Sequence, residues 1–225
     1  VDLAYGDSGK GKVSHRLAYQ VDIIVRCGGG PNTGATLNVN GEKYVLHLLP
    51  AGIVVPGKKN VVTGMVLIDP KCMLEEIENA KLHGFLKRKE DLAISSKLPI
   101  ILPYHIAEDK ISDLGKAIGT TGRGIGPAVK DFVGRHESII LKDLLNKEEL
   151  EKKLRDILPL KEAVIDIKLK SNSINKKEWL EKVGLSKYLD SEGNFDALKI
   201  SIEFNEFGKL LAPYIADTGF ILEQA

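Results

Sequence analysis

Within Tyr5-Gly6-Asp7-Ser8-Gly9-Lys10-Gly11-Lys12 the chain gathers glycines, two lysines and a carboxylate, a composition suited to holding phosphate. Glycines let the backbone fold tightly enough for its N–H groups to face an anion, and lysines add charge at the same place. Gly6, four residues, then Gly11-Lys12 fits the spacing of a P-loop, but Val13 stands where a magnesium-binding hydroxyl is expected. A divalent cation bound with phosphates takes one or two carboxylates, so Asp7 is the candidate ligand.

Two further stretches share this character. Cys27-Gly28-Gly29-Gly30-Pro31-Asn32-Thr33-Gly34-Ala35-Thr36 holds three consecutive glycines, which are costly to order and are expected either as a flexible turn or as a second phosphate-side loop. Gly119-Thr120-Thr121-Gly122-Arg123-Gly124-Ile125-Gly126-Pro127 combines glycines, hydroxyls and an arginine, another anion-cradling composition.

The elements around these loops must bring them together. Residues 1–5 read as the end of a buried strand and 12–19 as a helix, whose N-terminus would add partial positive charge to the first loop. A second strand, 21–26, delivers the chain into the triple glycine, so both loops would lie at one edge of a parallel sheet, where ligands bind in open α/β folds. Asn40-Gly41 between alternating segments predicts a β-hairpin over 37–46. His47, at the strand end before Leu48-Leu49-Pro50, is expected to be a packed or solvent-tipped histidine.

Short strands are predicted at 61–62, 66–68, 92–94 and 100–102, the last closed by Pro103. Asp69-Pro70 predicts a capped helix start, with Met73, Leu74, Ile77 and Ala80 facing the core and an end near Gly84. Pro127 is expected to start a helix carrying Arg135 near its end. Amphipathic helices follow at 147–158, 174–183 and 202–223, with Trp179 packed and Pro213 kinking or dividing the last. The expectation is an α/β fold: a mostly parallel central sheet with a P-loop-like first loop, an inserted β-hairpin and flanking helices, in one domain over 1–225.

A formal net charge of +1 offers no basic field for nucleic acid, so any anion is bound locally. Cys27 and Cys72 are too few for a disulfide framework and fit a reducing, cytoplasmic setting. No apolar run approaches the roughly 20 residues that span a bilayer, and no signal-peptide pattern precedes the first motif. Val1 in place of Met suggests a trimmed start.

Taken together, Tyr-Gly-Asp-Ser-Gly-Lys-Gly-Lys at 5–12, Pro-Asn-Thr-Gly-Ala-Thr-Leu at 31–37, His-Leu-Leu-Pro-Ala-Gly-Ile at 47–53 and Gly-Thr-Thr-Gly-Arg-Gly-Ile-Gly-Pro at 119–127 resemble the adenylosuccinate synthetase family. The resemblance covers about the first half of the family's length. It implies a ligase of purine biosynthesis that joins L-aspartate to inosine monophosphate (IMP) at the expense of GTP, with Mg2+, through a 6-phosphoryl intermediate, in the cytoplasm and as a homodimer.

By the resemblance, Asp7 is both the base that deprotonates the hypoxanthine ring and a magnesium ligand, and Lys10 contacts the transferring phosphoryl group and IMP. Gly6, Gly9, Gly11, Lys12, Gly34 and Thr36 line the GTP site, Gly34 giving magnesium a backbone carbonyl. Asn32 and Thr121 contact IMP, and Arg135 reaches a partner subunit's nucleotide. The chain departs from the family at Tyr5 (Trp in the family), Ser8 (Glu), Pro31 and Ala35. The last stands where the family has a histidine that acts as general acid, and an alanine side chain has no proton to give. Alternative readings are a truncated or catalytically impaired relative that only binds nucleotide, a relative acting on a 2-aminopurine nucleotide, and a different P-loop NTPase or small-molecule kinase.

Overall fold

The computed structural model of the chain describes residues 9–112, 121–134 and 138–225. The fold is α/β, and it divides into two compact units: residues 1–98 with 211–225, and residues 99–210.

The first unit is built on a four-stranded, all-parallel sheet in the order β1-β4-β5-β6, formed by β1 (Ile23–Gly29), β4 (Lys59–Val66), β5 (Leu92–Ser95) and β6 (Ile215–Ala216). Val61, Val62, Ala93 and Ile94 are fully buried, as expected where helices cover a parallel sheet. The predicted hairpin is present as β2 (Ala35–Val39) and β3 (Glu42–Leu46). Its two turn residues, Asn40 and Gly41, have φ of 53° and 87°, the paired positive values of the tight turn that matches strand twist. Helix α1 (Lys10–Ala18) lies against β2 and the 3-10 turn Ala51–Val54.

Helix α2 (Pro70–Leu82) starts as predicted: the Asp69 carboxylate accepts from the N–H groups of Lys71 and Cys72, and Pro70 occupies the first turn. Met73, Ile77 and Ala80 are its core face. The strand pieces expected at 61–62 and 66–68 fall on one strand, β4, which resumes pairing with β1 at Met65 and Val66 after an irregularity between Arg26 and Gly28 and ends at Val66, before Leu67 and Ile68. At the other end of the chain, the helix expected over 202–223 is divided at Pro213. It becomes α7 (Ala197–Leu211), a 3-10 turn, strand β6 and α8 (Thr218–Glu223).

The second unit is helical. The strand expected at 100–102 is instead a single bridge between Pro99 and Ile140, after which Pro103 opens α3 (Pro103–Ser112). A proline fits the first helical turn as well as a strand end, because its missing N–H is unneeded in both places. Helix α4 (Ile125–Gly134) starts two residues before Pro127, and α3 packs against both α4 and α5 (Lys147–Ser171). Helix α5 runs through Pro159, where an end was expected at 158. Trp179, on α6 (Lys176–Lys182), is buried packing. Among the described residues no helix is long and apolar enough to cross a membrane.

Candidate functional site: two glycine loops in contact

Gly9, in the left-handed conformation (φ 77°), opens α1 without a side-chain cap. The chain turns there into the helix: the N–H groups of Lys12 and Val13 both donate to the Gly9 carbonyl, at 3.0 and 3.2 Å. Lys10, Gly11 and Lys12 therefore form the first turn of α1, two residues earlier than predicted, with both lysines exposed. The helix N-terminus and the lysine charges coincide, which favours an anion. Gly6 and Asp7 lie outside the described residues, as do the expected strand at 1–5 and Arg135.

The second loop follows β1 and returns into β2. Because the sheet is all parallel, the end of β1 at Gly29 lies on the same edge as the C-terminal ends of β4, β5 and β6. A cavity of about 510 Å3 opens on that edge, lined by Thr63, Ser95, Lys97, Asp217 and Thr218 among others. Thr33 organises the loop itself: its N–H and its hydroxyl both donate to the Gly30 carbonyl, at 3.1 and 2.9 Å. Arg26 of β1 donates to the Thr33 hydroxyl at 2.6 Å. Burial lowers the Arg26 pKa, an effect partly opposed by the Glu76 carboxylate. Asn32, Gly34 and Thr36 are exposed around this turn.

The two loops meet at Gly11 and Ala35. A Cβ placed on Gly11 would come within 2.6 Å of the Ala35 Cβ and 3.1 Å of its Cα. Only glycine at position 11 lets the first turn of α1 approach the start of β2 this closely. The first and second glycine-rich loops, expected at one sheet edge because each follows a strand, thus meet in the first unit where Gly11 touches Ala35.

Thr121 belongs to the second unit, where it is exposed at the start of the described part of the third loop. Two groups of α3 hold that loop. The Gly124 N–H donates to Asp109 Oδ2 at 2.8 Å. A Cβ on Gly124 would meet the backbone between His105 and Ile106 at 3.0 Å, so the close approach requires glycine. Behind the loop lies a buried polar cluster. Asp131 accepts from His105 Nε2 at 2.9 Å and from Lys161 at 2.5 Å, and Glu108 lies 3.9 Å from the same lysine. The Leu102 N–H donates to His105 Nδ1 at 3.0 Å, so Nδ1 is an acceptor and the imidazole is neutral.

Three residues of the first unit were not singled out by sequence as site residues: Arg26, His47 and Glu76. His47 Nδ1 sits 2.7 Å from the Thr33 carbonyl. Glu76, buried on α2, accepts from the N–H groups of His47, Leu48 and Leu49. The hairpin register carried the signal for His47: counting out from Asn40-Gly41 pairs Ala35 with Leu46 and sets His47 opposite Gly34. Nothing local marks Arg26 or Glu76.

A magnesium ion bound with phosphates requires few protein ligands. Among the described residues no cluster of three or more His, Cys, Asp or Glu side chains gathers as a metal site. Of the two donors expected by the resemblance, the Asp7 carboxylate lies outside the described residues and Gly34 is exposed on the second loop.

The adenylosuccinate synthetase family model matches residues 1–225. The adenylosuccinate synthetase of Caldanaerobacter subterraneus subsp. tengcongensis is 34% identical over 225 residues, covering 99% of this chain and 47% of that protein. The Myxococcus xanthus enzyme is 38% identical, covering 99% of this chain and 48% of its own length. The chain thus spans about half the length of the curated relatives it matches. Among solved structures, a fully ligated adenylosuccinate synthetase from Plasmodium falciparum superposes with a TM-score of 0.74 at 28% identity, over 97% of this chain and 46% of that one.

Proposed function

Because this chain belongs to the adenylosuccinate synthetase family, we propose that it supplies the phosphate and IMP side of a GTP-dependent ligase that joins L-aspartate to IMP. The observation that carries this reading is the contact of the two loops at Gly11 and Ala35, which brings the first turn of α1, with its two exposed lysines, against the start of β2. The two units are read as parts of one larger catalytic domain.

In this reading Asp7 removes the proton from the hypoxanthine ring, and the ring oxygen attacks the γ-phosphorus of GTP, so that the P–O bond to the β-phosphate breaks and GDP leaves. The amino group of aspartate then displaces phosphate from the 6-phosphoryl intermediate. Lys10 neutralises charge on the transferring group. Gly9, Gly11, Lys12 and Thr36 hold the GTP phosphates, in keeping with phosphoryl transfer being catalysed by positioning and charge neutralisation. Asp7 and the Gly34 carbonyl would hold Mg2+, which when bound neutralises phosphate charge. Asn32 and Thr121 orient IMP, and Arg135 does so across a homodimer.

The polypeptide carrying this chain, given GTP, Mg2+, IMP and aspartate, is expected to form adenylosuccinate, and Asp7→Asn is expected to abolish it. GTP hydrolysis that ignores both IMP and aspartate would overturn the assignment. Ala35 favours a second reading, a relative that binds nucleotide without turnover. Nucleotide titration with no product formation selects it.

A further inference from the structure

We infer that His47 is a positioning residue of the second loop, fixing the Thr33–Gly34 peptide through Nδ1 and so aiming the Gly34 N–H at a phosphate oxygen; the ligand in this inference rests on the function proposed above. His47 follows β3 directly, and the register sets it opposite Gly34. A Cβ on Gly34 would lie 3.7 and 3.8 Å from ring atoms Cε1 and Nδ1. The ring therefore packs flush on the Gly34 backbone. Nδ1 is 2.7 Å from the Thr33 carbonyl oxygen. A carbonyl can only accept, so Nδ1 carries the hydrogen, and in the neutral ring Nε2 holds a lone pair.

The base of the ring is fixed as firmly as its tip. Glu76, 8% exposed, binds the His47 N–H at 2.6 Å, the Leu48 N–H at 3.1 Å to each carboxylate oxygen, and the Leu49 N–H at 2.9 Å. Leu48 and Leu49 are themselves fully buried. From the opposite side Arg26 holds the Thr33 hydroxyl. Thr33 is thus gripped by β1 and by the end of β3, although it is exposed, as are its neighbours Asn32 and Gly34. The Thr33–Gly34 peptide is trans, as no cis bond occurs among the described residues. A trans peptide sets N–H opposite to C=O. Holding the carbonyl against His47 turns the Gly34 N–H away from the ring, free to serve as an anion donor of the kind glycine loops present.

The test separates the two ring nitrogens. The side-chain amide of Asn reaches the place of Nδ1, and that of Gln the place of Nε2. Titrating Mg·GTP into the full chain by calorimetry, His47→Ala and His47→Gln are expected to weaken Kd at least tenfold, while His47→Asn stays within threefold of the parent. Amide hydrogen exchange at residues 33–35 without ligand should follow the same order, faster in the Ala and Gln variants and unchanged in Asn. Retention by Gln with loss in Asn, or no change in Ala, overturns the inference. An imidazole 15N spectrum decides the anchor independently: the Nδ1–H tautomer supports it and the Nε2–H tautomer refutes it. If the parent chain fails to bind Mg·GTP while the tautomer and exchange results hold, the functional reading fails and the positioning role stands.

Discussion

Gly11 and Ala35 stand so close that a methyl group on residue 11 would come within 2.6 Å of the Ala35 Cβ. Gly11→Ala must therefore push α1 away from β2. The cost is expected to be about 1–3 kcal/mol, the range for overpacking a tight contact, together with loss of phosphate binding. Because the Ala35 Cα is also near, at 3.1 Å, adding Ala35→Gly should recover part of the loss and no more. Chemical unfolding of the two single variants and the double variant measures that coupling. Strict additivity would show that the residues do not touch.

On the function proposed above, Ala35 offers a test of turnover. If proton donation at this position limits phosphoryl transfer, Ala35→His is expected to raise kcat about 10²–10⁴-fold, the contribution of a positioned general acid. The new ring has to extend past Cβ away from Gly11, which leaves the loop contact in place. Assay of adenylosuccinate formation reads the result. An unchanged kcat assigns the proton to another group or to water.

Glu76 offers a test of the framework without any ligand. Its carboxylate is the acceptor for three consecutive N–H groups at residues 47–49. Glu76→Gln keeps the shape but replaces one oxygen by an NH2 group that cannot accept. A loss of about 1.5–3 kcal/mol is expected, typical of hydrogen bonds to a charged group, with faster amide exchange at Leu48 and Leu49. A variant with the parent's unfolding midpoint would show that water replaces the carboxylate at no cost.

What could be read from sequence were the features carried by neighbouring residues. Asn40-Gly41 fixed the hairpin and Asp69-Pro70 the start of α2, since each signal and its effect lie within a few positions. The composition of the glycine loops singled out the segments proposed to handle phosphate. Strand β6 was illegible because its two residues gain strand structure only by pairing with Ile94 and Ser95, far away in sequence. Helix α5 continues past Pro159 because Leu150, Leu154, Ile157, Ile165 and Leu169 bury one face on both sides of it. That burial, at about 1.5–3 kcal/mol per side chain, exceeds the roughly 3 kcal/mol a mid-helix proline costs. In the site, the meeting of Gly11 with Ala35 and the grip of Glu76 are likewise long-range. His47 was within reach, one step beyond the register that the hairpin turn implied.

The buried cluster behind the third loop makes acid stability a direct readout. Burial pushes the Asp131 carboxyl up, but hydrogen bonds from His105 and Lys161 outweigh it and leave the pKa below the ordinary carboxylate value. The unfolded chain, with a value of about 3.9, binds the proton first, so stability from Asp131 is present above about pH 4 and is lost as pH falls through the folded value. Glu108 has the opposite sign. Burial raises it, Lys161 draws it down in part and Asp131 raises it again. Its contribution is full below about pH 4.3, the unfolded value, and is lost as pH rises through the raised folded value. Asp131→Asn strips a buried lysine of its closest partner and is expected to lose about 3–5 kcal/mol at pH 7, with a flatter decline into acid. Glu108→Gln is expected to be neutral or stabilising at pH 7. Thermal unfolding between pH 3 and pH 8 distinguishes them: equal losses in the two variants at pH 7 would mean that Lys161 is shared evenly between the carboxylates, against the 2.5 and 3.9 Å separations found.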